Sequence, residues 1–321
     1  MARTLLIDTD GGSDDVVALI MALRWSEVRV LAITIVAGNV PVEQATQNVL
    51  YTAELCGADT PVCAGAAKPL LQELVTARWF HGKDGLGDHG YAPVSKRADS
   101  RHAVDAIIQS VLENPGIEIL TLGPLTNLAL AVTQEPRIVE EIGRCVVMGG
   151  APCCEGNVTP AAEFNIWVDP EAAKIVFRAG IKIEMVGWHL CRGAAALNQE
   201  ETSKILALRT PVAEFAIRCN SVAAEAYHTQ TGEYGISLPD PIAMAITLRP
   251  ELCMDSSMHY VDVETTSQLT RGMTVVDRLG VAEDERNKDT WKWALKQRVK
   301  TRVDWTLDIG GWKAALYAAL R

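Results

Sequence analysis

Cysteine is scarce in this chain: eight among 321 residues is too few for a disulfide-stapled scaffold. Cys153 and Cys154 are adjacent, a spacing that fits neither a zinc pair nor an easy bridge, so reduced thiols in a cytosol are expected. No stretch approaches the roughly twenty apolar residues of a membrane span, which argues against a membrane protein. The first strand-like run, Thr4 to Ile7, begins so early that there is no room for a charged and apolar leader, and a cytoplasmic location is the expectation. Positive charge is also short. Thirty Lys and Arg face forty Asp and Glu, a net charge of −10 that makes a phosphate backbone a poor partner. The one dense basic stretch, Lys292 to Arg302, is interleaved with Trp291, Trp293 and Trp305 and reads as a solvated helix face, so no nucleic-acid partner is expected. Repeats, low-complexity tracts and composition breaks are missing too. What remains, 48% hydrophobic and 22% charged residues, is the composition of a soluble globular enzyme, read here as a single domain over residues 1–321.

The apolar residues alternate between two patterns. Short continuous runs at Thr4 to Ile7, Val28 to Val36, Ile117 to Leu122, Cys145 to Met148 and Ile181 to Val186 read as strands. Between them, Val16 to Leu23, Val42 to Leu55, Leu125 to Val132 and Pro170 to Arg178 have helical spacing. The fold class predicted is α/β: a mostly parallel central sheet covered by helices on both faces, a Rossmann-like core. Leu197 to Gln230 reads as helical, and Tyr260 to Val263 with Met273 to Val276 as a small antiparallel C-terminal appendage. Sites in such sheets lie beyond the carboxyl ends of strands, which directs attention to Asp8 to Asp15, Gly38-Asn39, Gly123 to Asn127 and Gly149 to Asn165. The long polar segment Lys68 to Ser100 reads as a functional loop or lid.

Asp8, Asp10, Asp14 and Asp15 crowd four carboxylates onto a strand end and the first turn of a helix. The helix terminus offsets their repulsion by only about 0.3–1 kcal/mol each. A divalent cation, proton uptake or solvent must supply the rest, and oxygen donors without His or Cys favour a hard ion, Ca²⁺ or Mg²⁺. On spacing alone a second arrangement stands equal: Ser13 as helix cap, Asp14 and Asp15 complementing the dipole, and Asp8 bonded to backbone. Convergence of Gly38-Asn39, Gly123 to Asn127 and Glu163 to Asn165 on the same sheet edge would add groups suited to gripping hydroxyls. Pro239-Asp240-Pro241 places one more acid on a stiff backbone, as a distant metal ligand or in a plain turn.

The run Ile7 to Asp15 (IDTDGGSDD) resembles the N-terminal signature of the inosine-uridine nucleoside hydrolase family, with Gly11 where the family usually has proline. The resemblance continues through Thr34 to Asn39, His81 to Gly87, Leu122 to Asn127, Val147 to Gly150, Gly156-Asn157, Ala162 to Asn165, Asp169 to Ala173 and Arg271 to Asp277, and so covers nearly the whole chain.

The resemblance implies a calcium-dependent hydrolase that cleaves the N-glycosidic bond of ribonucleosides, releasing free base and ribose. It implies Ca²⁺ held by Asp10, Asp15, Asp240 and the main-chain carbonyl of Leu122, with Asp10 as general base for a water that the ion orients. Asp14, Asn39, Met148, Asn157, Glu163 and Asn165 match the family's positions around the ribose. Asp8 is expected to support the loop, and Asn127 to cap or bridge the following helix. Many relatives carry a histidine before the metal-binding aspartate, where this chain has Pro239. His81 is therefore the candidate acid for the leaving base, with His228, Tyr227 and Tyr234 as alternatives. Trp79 and Phe80 are candidates to stack on the base, and Trp188 and His189 to reach the same pocket. A purine or broad base preference is slightly favoured, and a homodimer or homotetramer is expected. Two other readings stay open at this level: a non-catalytic nucleoside- or ribose-binding protein, and a haloacid-dehalogenase-like Mg²⁺-dependent phosphatase, for which the second acid is followed by Gly12 where Thr or Val is expected.

Overall fold

The computed structural model describes residues 2–321. Its strands are β1 (Arg3–Thr9), β2 (Val28–Ile35), β3 (Val62–Ala64), β4 (Ile117–Thr121), β5 (Ile142–Met148), β6 (Ile183–Val186), β7 (Cys253–His259), β8 (Val261–Val263), β9 (Thr274–Val276) and β10 (Thr301–Leu307). Eight of them form one sheet in the order β3-β2-β1-β4-β5-β6-β10-β7, parallel throughout except for the antiparallel edge pair β10 and β7. Side chains alternate across it: Leu5, Ile7, Val146 and Met148 enter the core under helices Ser13–Leu23, Val42–Leu55 and Pro239–Leu248. Leu6, Cys145 and Val147 enter the opposite core, under Ala103–Glu113, Thr126–Gln134 and Pro170–Arg178. Period-two alternation on continuous apolar strands is what a sheet buried on both faces requires. The expected α/β architecture is therefore present, and β8 with β9 forms the expected antiparallel appendage.

Strand order reverses at β1. The chain steps outward to β2 and β3, then returns to the other side of β1 as β4, so a crevice opens between the carboxyl ends of β1 and β4. That crevice receives Asp8 from the first strand, Asp10 from just past it and Leu122 from just past the fourth.

The opposite edge of the sheet is held by charge. Arg3, Glu118, Arg144, Glu184 and Arg302 stand near the starts of five neighbouring strands and pair in succession, at 3.2 Å (Arg3 to Glu118), 3.1 Å (Arg144 to Glu118), 2.7 Å (Arg144 to Glu184) and 3.8 Å (Arg302 to Glu184). Arg3 also donates to the carbonyls of Thr247 and Leu248, and Arg144 to those of Ile246 and Thr247. These are the orphan carbonyls at the end of helix Pro239–Leu248, where cations are favoured.

Several sequence expectations change. Pro239-Asp240-Pro241 is the first turn of a helix and not a plain turn, because Pro239 sits at the position where a missing N–H costs nothing. The basic stretch is helical only over Lys292–Gln297; Arg298 adopts a left-handed conformation and Arg302 belongs to β10, so it is not a continuous helix face. Trp291 and Trp293 pack beside Tyr260, and the Arg178 guanidinium lies 4.4 Å over the Trp293 ring. Leu197 to Gln230 is three helices, Gln199–Leu206, Pro211–Arg218 and Ser221–Thr231. Lys68 to Ser100 contains one short helix, Arg78–His81, and is otherwise irregular.

Candidate active site

Asp8 closes β1 and faces inward, fully buried. Its Oδ1 accepts from Thr34 Oγ1 at 2.6 Å and from Asn127 Nδ2 at 2.8 Å. Asn127 also donates to the Ile35 carbonyl and accepts from Ala66 N. It ties three strand ends together and does not cap or bridge the following helix. Asp8 thus stands behind the site, its carboxyl pushed up by burial to about 7.

Asp10 lies two residues on and is likewise fully buried. Asn39 grips it twice, from N to Oδ2 at 2.7 Å and from Nδ2 to Oδ1 at 3.0 Å. The same Nδ2 lies 3.2 Å from Asp15 Oδ2, so one amide joins the two carboxylates. Asp15 further accepts from Thr9 Oγ1 and, at 2.8 Å, from Gly12 N. The helix cap is therefore Gly12 N bonded to the Asp15 carboxylate; Ser13 does not cap, and its hydroxyl lies 2.9 Å from His81 Nδ1.

Across the crevice, Asp240 projects from the first turn of helix Pro239–Leu248. Oxygen atoms of Asp14, Asp15 and Asp240 lie within 4.8 Å of one another, and all three residues are buried. Asp14 Oδ1 has no hydrogen-bond partner among the described residues. Burial, reinforced by mutual repulsion, drives Asp14 up to about 8 and Asp10 and Asp240 well above the carboxylate range. Without a cation such a group must hold protons; with one it can ionise. Buried, convergent, oxygen-only donors with one oxygen unpaired are the arrangement that a hard divalent ion fits.

The remaining wall comes from the chain after β5. Glu163 caps helix Phe164–Val168 by accepting from Asn165 N and Ile166 N, and it also accepts from Gly150 N. Burial raises its pKa. Asn165 Nδ2 donates to the Leu122 carbonyl at 2.8 Å and to that of Met148 at 3.2 Å. Asn157 Oδ1 accepts from Phe164 N. Together with Asp14, Asn39, Leu122, His81 and Asp240, these residues line a cleft that mixes polar groups with aromatic walls, the character of a small-molecule site. Trp79, Phe80, Trp188 and Phe164 supply its apolar walls, and Gln230, Ser237 and Pro239 complete the mouth.

His81 is buried against the first turn of helix Ser13–Leu23, with Nδ1 3.8 Å from Asp14 Oδ1. The backbone N–H of Ser13 can only donate, and it points at Nδ1 from 3.4 Å, so Nδ1 accepts and Nε2 carries the proton. Burial lowers the pKa to about 4, which keeps the ring neutral. The alternatives fall outside the cleft. Tyr227 bonds Glu233, His228 stacks on the exposed Tyr234, and His189 Nε2 lies 2.9 Å from the Asp304 carbonyl oxygen. Gln230 escaped sequence reasoning as a site residue, whereas Ser13 was read only as a helix cap and Gly38 only as part of the Gly38-Asn39 pair.

With this geometry in place, comparison with known proteins is decisive. The family model described as inosine-uridine preferring nucleoside hydrolase matches residues 5–306. The chain belongs to that family. The pyrimidine-specific ribonucleoside hydrolase of Escherichia coli strain K12 is 40% identical over 281 residues, 86% of this chain and 89% of the relative. Among solved structures, a plant nucleoside hydrolase superposes with a TM-score of 0.91 at 32% identity, covering 100% of this chain and 99% of its own. The purine-preferring ribonucleoside hydrolase from Gardnerella vaginalis gives 0.87 at 28% identity, covering 99% of both chains. As a nucleoside hydrolase the chain is an enzyme acting on N-glycosyl compounds, and the phosphatase and non-catalytic readings fall away. No helix among the described residues of this nucleoside hydrolase is long and apolar enough to cross a membrane.

Proposed function

We propose that the protein is a calcium-dependent nucleoside hydrolase that converts ribonucleosides to free base and ribose, working as a single domain over residues 1–321. The observation that carries this reading is the buried, convergent carboxylate group of Asp14, Asp15 and Asp240, of which Asp14 and Asp240 line the cleft, with Asp10 joined to Asp15 through Asn39. Asp10, Asp15, Asp240 and the Leu122 carbonyl, whose oxygen also accepts from Asn165, would hold the ion. A bound divalent cation there supplies positive charge that acidifies a water and orients it.

Asp10 would take the proton of the attacking water, its carboxylate aimed by the two bonds from Asn39. Asp14, Asn39, Asn157, Glu163 and Asn165 grip the ribose hydroxyls, with Met148 beneath the sugar. The surrounding carboxylates stabilise the positive charge that develops on the ribosyl group as the glycosidic bond breaks. His81, neutral and with its proton on Nε2, donates to the departing base in place of the histidine that Pro239 replaces. Trp79 and Trp188 pack on the base, which supports a purine or broad preference. The same reading makes the protein a cytoplasmic homodimer or homotetramer, to be checked by sedimentation.

The test is reducing-sugar release across a panel of purine and pyrimidine ribonucleosides, by the protein and by Asp10→Ala. Ribose release that is lost in the variant is expected; a variant that turns over at the parent rate removes Asp10 as base.

A further inference from the structure

Between β5 and helix Phe164–Val168 the chain carries the vicinal pair Cys153-Cys154, for which hydrolysis has no use. Cys153 is exposed, and its φ of +56° lies in the left-handed region, which breaks the extended-chain alternation that would send neighbouring side chains to opposite faces. Cys154 is half-buried, with Sγ 3.4 Å from the carbonyl oxygen of Glu155. The other six cysteines are isolated along the sequence; Cys63, Cys145, Cys191 and Cys219 are buried, and Cys56 and Cys253 are half-buried. No other two thiols are held together by chain connectivity.

This loop is also tied into the cleft. Trp188 N donates to the Gly150 carbonyl at 2.9 Å, and Pro152 packs so closely on Gly187 that a Cβ there would lie 2.4 Å from its Cδ. Glu155, the next residue after the pair, is bonded to Arg192, whose other arm reaches Glu233 at 2.8 Å. Asn157, two residues further, accepts from Gln230 at its carbonyl and holds Phe164 N with its side chain. Asn157 and Gln230 both line the cleft. A ring closed over the two sulfurs therefore pulls on Glu155 and Asn157, and through them on the nucleoside pocket.

We propose that Cys153 and Cys154 form a modification site for soft trivalent centres, an organoarsenic(III) oxide being the simplest, and that its occupation weakens nucleoside binding. In the reaction the arsenic–oxygen double bond and two S–H bonds break, two arsenic–sulfur bonds form, and water leaves. No oxidation state changes and no further reagent is needed. Soft thiol sulfur is the donor type that such a centre selects. Exposed Cys153 attacks first and half-buried Cys154 closes the ring.

The effect on the pocket rests on the proposed nucleoside hydrolase activity, whereas capture by the pair does not. The experiment treats the calcium-loaded protein with phenylarsine oxide, washes it with a monothiol and reads intact mass, then KM and kcat for inosine. A single retained arsenical, removed by a small dithiol, with KM raised several-fold and kcat changed less, is expected. Cys153→Ser and Cys154→Ser should each fail to retain the reagent and should keep their KM after treatment. Retention by either variant overturns the site, and retention at the pair with unchanged KM overturns its coupling to the cleft. Were the functional reading wrong, the untreated protein would not release ribose from inosine, and the mass result would stand by itself.

Discussion

Arg144 on β5 donates from Nε to Glu184 on β6 at 2.7 Å, at the edge of the sheet farthest from the catalytic cleft. The same guanidinium reaches Glu118 and the carbonyls of Ile246 and Thr247. It thereby fixes the far end of the helix whose first turn presents Asp240. Arg144→Met leaves Glu118 with Arg3 alone, Glu184 with Arg302 alone and the Ile246 carbonyl without its donor, so a loss of about 1–3 kcal/mol is expected. Arg144→Lys recovers only part of it, because an ammonium cannot serve four acceptors in fork geometry. Urea denaturation of the three proteins measures both.

Gly38 has no side chain because Asp10 needs the space. A Cβ there would lie 2.0 Å from Asp10 Oδ2 and 2.8 Å from Pro124 Cδ. Gly38→Ala is expected to displace Asp10 and to cut kcat roughly 100-fold, the scale of a misplacement of about 1 Å, while circular dichroism stays native. A kcat within a factor of two of the parent would show that Asp10 is not the base.

Calcium binding is expected to release protons at neutral pH, because Asp14 is held at about 8 in the metal-free protein. Calorimetry in two buffers of different ionisation heat measures the release. Exhaustive chelation is expected to abolish nucleoside binding; affinity that survives it contradicts the placing of a metal ion in the nucleoside cleft.

Asp304 gives a pH dependence remote from the metal. It is fully buried on β10, and burial with repulsion from Glu184 raises its pKa from 3.8 to about 7. The folded pKa exceeds the unfolded one, so folding takes up a proton. Stability from this source is complete below about pH 4 and is lost as the pH rises through about 7. Asp304→Asn is expected to be more stable than the parent at pH 8, by about 4 kcal/mol at most, and to match it near pH 4. Thermal unfolding at the two pH values decides; a variant less stable at pH 8 would refute the argument.

His81→Ala should slow inosine hydrolysis roughly 100-fold or more, the lower range for loss of a proton donor, yet spare a nitrophenyl riboside, whose leaving group needs no proton. Equal losses on both substrates would reject His81 as the donor.

Much of this was legible along the chain. The strands β1, β2, β4 and β5 could be read because a strand buried on both faces is a continuous apolar run, and the acids at their ends stand out against it. The edge strand β7 and its neighbour β10 could not. Cys253–His259 is mostly exposed or half-buried and carries Asp255, Ser256 and Ser257, so it has no apolar signature, and its pairing depends on a partner more than forty residues away. Asp240 was a candidate through its two prolines and through the family resemblance, and its helix start became evident once the first turn was in place.

The sequence by itself determined the alternation of strand and helix, the location of the acids at a strand end and the family to which the chain belongs, because each is written in local spacing. Only the tertiary structure decided that Asn39 joins Asp10 to Asp15, that Ser13 holds His81 and leaves the helix cap to Gly12 and Asp15, and that Arg144 anchors the helix of Asp240. Those contacts join residues that are distant along the chain, and their hydrogen bonds and charge pairs depend on distances that exist only once the sheet has brought its strand ends together.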